Sequence, residues 1–125
     1  MLSTTDTLLA SSRALSAALR HRDICWLNQH LANTAECHFS QARPQSKYDW
    51  IDALQNGELS YRHLTTPIIT RLLTNVGEVQ LTATSQLTNQ PAQEVTLQLS
   101  WILDDSQWQL YRQLELSEKP IDWIR

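Results

Sequence analysis

The spacing of apolar residues changes along the chain, from three or four residues near the start to two residues later on. In the first twenty positions, small and apolar residues recur at a helical spacing: Leu8, Ser12, Leu15 and Leu19. This pattern predicts an amphipathic helix that begins near Ser3 and ends at His21-Arg22. Asp23 is then placed to cap a second, shorter helix.

From Ala35 the period is two, because Ala35, Cys37 and Phe39 alternate with polar residues. This alternation predicts a short strand. Ser46 then has the position of an N-cap for a third helix, which Asn56-Gly57 is suited to end. The first half is therefore predicted to contain three helices and one strand.

The second half is predicted to be an antiparallel meander of strands separated by polar turns. Its clearest strand places five apolar residues on one face: Val95, Leu97, Leu99, Trp101 and Leu103. The last strand is predicted to place Trp108, Leu110, Leu114 and Leu116 on the same face, together with Arg112. Pro67 interrupts the first long strand, between Leu59 and Leu73, and predicts a bend there.

Helices followed by such a sheet predict an α+β fold in which about three N-terminal helices cover a cone-like, bent antiparallel sheet. The length of 125 residues predicts one domain over residues 1–125, with a core at about 5–118 and a short tail at 119–125. A cone of this kind has an interior that is able to hold a small molecule.

Composition narrows the classes of partner. The net charge of -3, with lysines and arginines scattered singly, provides no basic stripe for nucleic acid. No apolar run is long enough for a membrane span, so we expect no membrane partner and a cytoplasmic location.

The cysteine, histidine and glycine positions disfavour cofactor and metal sites. Cys25 and Cys37 are interpreted as buried free thiols, with a single disulfide as the alternative. Their spacing from neighbouring histidines predicts no metal site. With only Gly57 and Gly77 in the chain, a glycine-rich phosphate loop is excluded, and we expect no cofactor.

Four local patterns stand out beside the order of elements: Ala17-Ala18-Leu19 running into Arg22-Asp23, Trp26-Leu27 with Leu31, Trp50-Ile51 through Gly57-Glu58-Leu59 with Tyr61, and residues 106–110. Together they resemble the NTF2-like superfamily, which has a cystatin-like cone fold, and within it the SnoaL-like or DUF4440-type branch. The resemblance implies a homodimer built around a small apolar pocket. It also implies relatives that range from ketosteroid isomerases, dehydratases and polyketide cyclases to binding and assembly domains.

The ketosteroid-isomerase resemblance does not extend to the catalytic groups. Its proton-shuttling carboxylate and its oxyanion-site tyrosine correspond to Phe39 and Leu15 here, and neither side chain carries a transferable proton. Isomerase chemistry by that set of residues is therefore disfavoured.

The residues predicted to line the interior include no carboxylate, since the period places Glu115 on the face opposite Leu114. The predicted pocket residues are Tyr61, His63, Trp101, Arg112, Trp108 and Phe39. Among these, Arg112 is a candidate to hold an acidic group; the alternatives are that its stem stacks on a tryptophan at the rim or that it pairs across a dimer interface. His63 and Tyr61 are the weak catalytic candidates.

Three functional hypotheses follow. The first is a non-catalytic homodimer that binds a small apolar or weakly acidic molecule and pairs through the Thr- and Gln-rich outer face of the sheet. The second is an isomerase, dehydratase or cyclase that uses His63 with Tyr61 on a small apolar substrate. The third is a protein-interaction or assembly module that works through the sheet face or the segment 121–125.

Overall fold

A computed structural model describes residues 3–39 and 43–117, which form three helices and seven strands. The helices are α1 (Thr4–His21), α2 (Ile24–His30) and α3 (Lys47–Gln55). None of them is long and apolar enough to cross a bilayer. The predicted tail at 119–125, and with it the hypothesis of a partner bound at 121–125, lies outside the described residues.

Each helix begins at the cap that the sequence predicts. A side-chain oxygen of the N-cap residue accepts the backbone N–H three positions later, which satisfies a donor that the first turn leaves unpaired. The distances are 3.1 Å for Ser3 with Asp6, 3.1 Å for Asp23 with Trp26 and 3.3 Å for Ser46 with Asp49. The capping signals in the sequence therefore fix the three helix starts.

Seven strands form one curled sheet in the spatial order β2-β1-β7-β6-β5-β3, with β4 also pairing with β5. They are β1 (Leu31–Phe39), β2 (Gln45–Ser46), β3 (Leu59–Arg62), β4 (Ile68–Leu72), β5 (Val76–Leu87), β6 (Gln93–Asp104) and β7 (Gln107–Ser117). The predicted antiparallel meander is β5-β6-β7. In addition, β1 lies parallel to β7, which makes the sheet mixed.

The predicted interruption near Pro67 separates β3 from β4. His63, at the end of β3, has a left-handed backbone with φ 54° and turns the chain out of the strand. The chain returns as β4, so β3 and β4 pair with successive parts of the same edge of β5.

A β-bulge divides β7 into two parts. Ser100 of β6 is paired with Arg112, but the next residue, Trp101, is paired with Leu110, so Tyr111 is an extra residue without a partner on β6. Side chains alternate along a strand, and one extra residue exchanges the two faces beyond it. The prediction that Arg112, Leu114 and Leu116 face inward is therefore wrong.

The helices cover the concave face of the sheet and bury the first part of β7. Leu8 and Leu15 of α1 and Trp101 of β6 are completely buried, and Trp108 of β7 is almost so. The indole N–H of Trp108 donates to Thr7 Oγ1 at 3.0 Å, which ties the first helix to the last strand.

Candidate functional site

Five polar side chains lie together on the concave face of the sheet, at the end of β7 that follows the bulge. This interior polar cluster consists of Cys37 from β1, Tyr61 from β3, Ser85 from β5, and Gln113 and Glu115 from β7. All five residues are buried, and Glu115 retains 7% of its surface exposed. A buried carboxylate with several polar neighbours marks this cluster as the candidate site.

Strand register and curvature bring these residues together. Tyr61 is paired with Ser85, and Cys37 with Gln113. Three strand spacings separate β3 from β7, about 14 Å along a flat sheet. The Tyr61 hydroxyl nevertheless lies 2.8 Å from Glu115 Oε2, so the sheet is curled enough to bring side chains of β3 and β7 into contact.

Hydrogen bonds connect the cluster through the carboxyl group. Tyr61 Oη donates to Glu115 Oε2, and Ser85 Oγ donates to Glu115 Oε1 at 2.7 Å. The Gln113 amide Nε2 donates to Tyr61 Oη at 3.1 Å and lies 3.8 Å from Cys37 Sγ. Each carboxylate oxygen accepts one of these bonds and retains further acceptor capacity.

Burial shifts the protonation equilibria of this cluster. Desolvation raises the pKa of Glu115, while the bonds from Ser85 and Tyr61 oppose that rise. Desolvation, together with the neighbouring Glu115, also raises the pKa of the Cys37 thiol and of the Tyr61 hydroxyl well above their ordinary values. Burial therefore moves the pKa values of Tyr61 and Cys37 further from neutrality and the pKa of Glu115 toward it.

The fold is shared with known structures. No protein-family model matches the sequence, and no curated protein does so either. An NTF2-like protein from Cytophaga hutchinsonii superposes with a TM-score of 0.81 at 16% identity, over 94% of this chain and 100% of that chain. A protein with a cystatin-like fold from Caulobacter vibrioides gives a TM-score of 0.74 at 11% identity, over 93% of this chain and 90% of that one.

A third solved structure has the name of an enzyme. A candidate scytalone dehydratase from Novosphingobium aromaticivorans gives a TM-score of 0.62 at 16% identity, over 93% of this chain and 89% of that one. The chain has the NTF2-like fold. Identities at this level show the fold alone, so the site has to be argued from its own residues.

Within this NTF2-like fold, four of the six residues predicted for the pocket point toward the interior or its core. Tyr61 belongs to the interior polar cluster. Trp101 and Trp108 are buried in the apolar core, and the half-buried Phe39 is the register partner of Glu115 on β1.

The two remaining predicted residues, His63 and Arg112, are exposed. The ring Nδ1 of His63 lies 3.5 Å from the Thr84 hydroxyl, because the left-handed turn carries His63 out of the strand on which Tyr61 lies. The expected His63–Tyr61 pair is therefore absent. Arg112 lies on the convex face because of the bulge at Tyr111.

The prediction that the interior has no carboxylate is wrong, since Glu115 is buried there. Ser85 follows Ala83 at the inward period of β5, so its position was visible in the sequence pattern. The sequence does contain one indication that Gln113 and Glu115 face inward. Arg112 is a charged residue within an otherwise apolar stripe, which indicates that the inward and outward faces of β7 exchange near this position.

Metal chemistry has no support in the part of the chain that the structure describes. No three His, Cys, Asp or Glu side chains are grouped to hold an ion within residues 3–39 and 43–117. The two cysteines also differ from the prediction that both are buried, because Cys37 is buried but Cys25 is exposed.

Proposed function

We propose that the chain binds a small, neutral, mostly apolar molecule in the cone and transfers a proton on it through Glu115. One observation carries this proposal: a buried carboxyl group on the concave face that is held by the Tyr61 and Ser85 hydroxyls. The hypothesis of a non-catalytic binder depended on an interior without such a group. In place of that hypothesis, we propose an enzyme of the isomerase or lyase type.

Glu115 is the catalytic residue of this proposal. Its ionised form takes a proton from a substrate carbon next to a carbonyl group. It then returns that proton to another carbon, which is an isomerisation, or to a departing hydroxyl group that leaves as water. Either route regenerates the carboxylate without a redox step, and the raised pKa makes it a stronger base at the pH of the cytoplasm, where we propose that the protein works.

Tyr61 and Ser85 are positioning residues. Their hydroxyls donate to different oxygens of Glu115, which fixes the plane of the carboxyl group and stabilises its ionised form. Gln113 in turn donates to Tyr61. The name of the candidate scytalone dehydratase with the same fold supports a lyase as one member of the proposed class.

The surroundings of Glu115 favour a neutral substrate. Its neighbours on the next strand are Leu97 and Leu99, which are completely buried, and an anion would be repelled by the carboxylate. The earlier expectation of an acidic ligand relied on Arg112, which lies on the outer face.

Proton exchange in heavy water tests the proposal without knowledge of the natural substrate. A series of small ketones, such as cyclohex-2-enone and 1-tetralone, is incubated with the protein in D₂O, and loss of the signals next to the carbonyl is followed by proton NMR. We expect catalysed exchange for at least one ketone. Glu115→Gln is expected to reduce the exchange rate by a factor of about 100 or more, because general acid–base groups contribute by that order.

Glu94→Gln is the matched control, because it removes the same charge from an exposed position at the start of β6. We expect it to leave exchange unchanged. Equal exchange by Glu115→Gln and the unaltered protein, or no exchange with any ketone, would remove Glu115 from the proposed role.

We also propose that the functional unit is a homodimer that pairs through the outer face of the sheet. The bulge places Leu114 and Leu116 on this face, and Leu116 is 47% exposed. Leu116→Glu is expected to convert the dimer to a monomer in sedimentation equilibrium. Leu73→Glu, at an exposed leucine beyond β4, is the control and is expected to keep the dimer.

A further inference from the structure

A second concave site lies on the outside of α1, away from the residues of the interior polar cluster. It is a groove of about 230 Å³ between one face of α1 and the segment that connects β3 to β4. Its lining residues are Arg13, Ser16, Ala17, Arg20, Leu64, Thr65, Thr66 and Pro67. We call it the α1 groove.

The helix side of the α1 groove presents two arginines along one face. Arg13, Ser16, Ala17 and Arg20 are spaced by three, one and three residues, the spacing of neighbours on a helix surface. The seven positions from Arg13 to Arg20 correspond to about 10 Å along the axis. Long side chains at both positions are therefore able to reach one molecule between them.

The opposite side of the groove is held in place by hydrogen bonds to β5. Thr65 N–H donates to Thr82 O at 2.9 Å, and Thr82 N–H donates to Thr65 Oγ1 at 2.8 Å. Pro67 is buried and has a fixed φ. This segment is consequently formed before any ligand arrives, which lowers the entropy lost on binding.

The charges of the groove are unbalanced. Neither Arg13 nor Arg20 forms an ion pair with any of the described residues, and the lining contains no acidic side chain. In a protein with a net charge of -3, two unpaired guanidinium groups along a groove without acidic side chains form a local site for an anion.

We propose that the α1 groove binds a small organic phosphate. Arg13 and Arg20 hold the phosphate oxygens, with the hydroxyl of the exposed Thr66 as a further donor, because guanidinium groups match phosphate geometry. The apolar part of the ligand lies on Leu64 and on the neighbouring proline and alanine. The site does not use Glu115, so it is independent of the proposed proton transfer.

A titration with phenyl phosphate, followed by ¹⁵N–¹H NMR of the full chain, tests this site. We expect saturable shifts of the backbone amides of Ser16, Ala17, Thr65 and Thr66. The double variant Arg13→Gln/Arg20→Gln is expected to weaken binding roughly tenfold or more, since it removes two charge-assisted contacts. Benzyl alcohol, which lacks the anionic group, is expected to give no saturable shifts at these amides.

Arg71→Gln/Arg112→Gln is the control for net charge, because both arginines are exposed on strands outside the groove. It is expected to keep the affinity within roughly twofold. A second variant, Arg13→Lys/Arg20→Lys, keeps the charge and loses the planar fork, so intermediate affinity is expected. If the glutamine variant does not fold, the affinity of this lysine variant still tests whether the two guanidinium groups hold the phosphate.

Several results would overturn the proposal. Equal weakening by the control pair would show non-specific attraction to positive charge, and equal binding of benzyl alcohol would show an apolar contact only. Full affinity in the glutamine variant, or shifts that do not saturate, would show that the groove holds no phosphate site.

Discussion

The two parts of β7 on either side of the bulge bury very different side chains. The part that precedes Tyr111 contains Trp108 and Leu110, which point into an apolar core against the helices. The part that follows Tyr111 contains Gln113 and Glu115, whose side chains lie on the same concave face. They form hydrogen bonds with polar groups from three other strands. The first part stabilises the fold by removing hydrocarbon from water, whereas the second places a carboxyl group where its charge is unfavourable. One strand thus provides both the core and the candidate site.

The strongest way to break this comparison is to place an arginine at position 110, just before the bulge. Leu110 is completely buried in the apolar core, so Leu110→Arg puts a guanidinium group among apolar side chains. An unpaired arginine among apolar groups is costly, so we expect a loss of stability on the order of 5 kcal/mol or more. Chemical denaturation followed by tryptophan fluorescence measures this loss.

Leu114→Arg is the control, because the bulge at Tyr111 turns position 114 to the outer face, where Arg112 already lies exposed. We expect it to remain folded. Equal losses in the two arginine variants would show that the bulge does not determine which face of β7 is inside.

A smaller effect is expected from truncation of the apolar part. Leu110 is completely buried, and Leu110→Ala is expected to lower the free energy of unfolding by about 2–5 kcal/mol through lost burial and a cavity. Leu114→Ala, the same change beyond the bulge on the half-buried outer face, is expected to lose clearly less. Equal losses in urea denaturation would contradict the division of β7.

The smallest effect concerns the polar part and depends on pH. Because the pKa of Glu115 is raised above its ordinary value of 4.5, the folded state binds the proton more tightly than the unfolded state. The stability that this tighter proton binding contributes is fully present below pH 4.5. It is lost as the pH rises through the raised pKa of Glu115 in the folded state. Glu115→Gln remains neutral, so its stability relative to the unaltered protein should rise as the pH is raised from 4 to 8.

Thermal unfolding at several pH values measures this difference. Glu94→Gln, the exposed control, is expected to follow the unaltered protein at each pH. A constant difference between Glu115→Gln and the unaltered protein would show that Glu115 titrates alike in the folded and unfolded states.

Local patterns predict most of the fold, because the relevant interactions span a few residues. The caps at Ser3, Asp23 and Ser46 and the alternation along β5 and β6 all agree with the structure. The interruption near Pro67 follows equally from proline chemistry. These features need no knowledge of distant contacts.

The candidate site was only partly predictable, because its formation depends on the count of residues across β6 and β7. A bulge adds one residue without a fixed sequence signature, and every inward assignment after it is reversed. Tyr61 lies before this point and is buried on the concave face, whereas Arg112 and Glu115 lie after it and occupy the faces opposite to those that the pattern predicts. His63 is exposed for a different reason, because β3 ends at Arg62 and the left-handed backbone of His63 turns the chain away.

The parallel pairing of β1 with β7 also determines when the site is able to form during synthesis. Gln113 and Cys37 are 76 positions apart, and Glu115 and Tyr61 are 54 apart. Contacts of such long range close late, and a chain that emerges from the ribosome in order lacks Glu115 until the first 114 residues have been made. Until then β1 has a free edge on the side that β7 later covers, an edge on which another chain is able to pair. The completion of β7 therefore ends the period of greatest aggregation risk and assembles the carboxyl site in the same step.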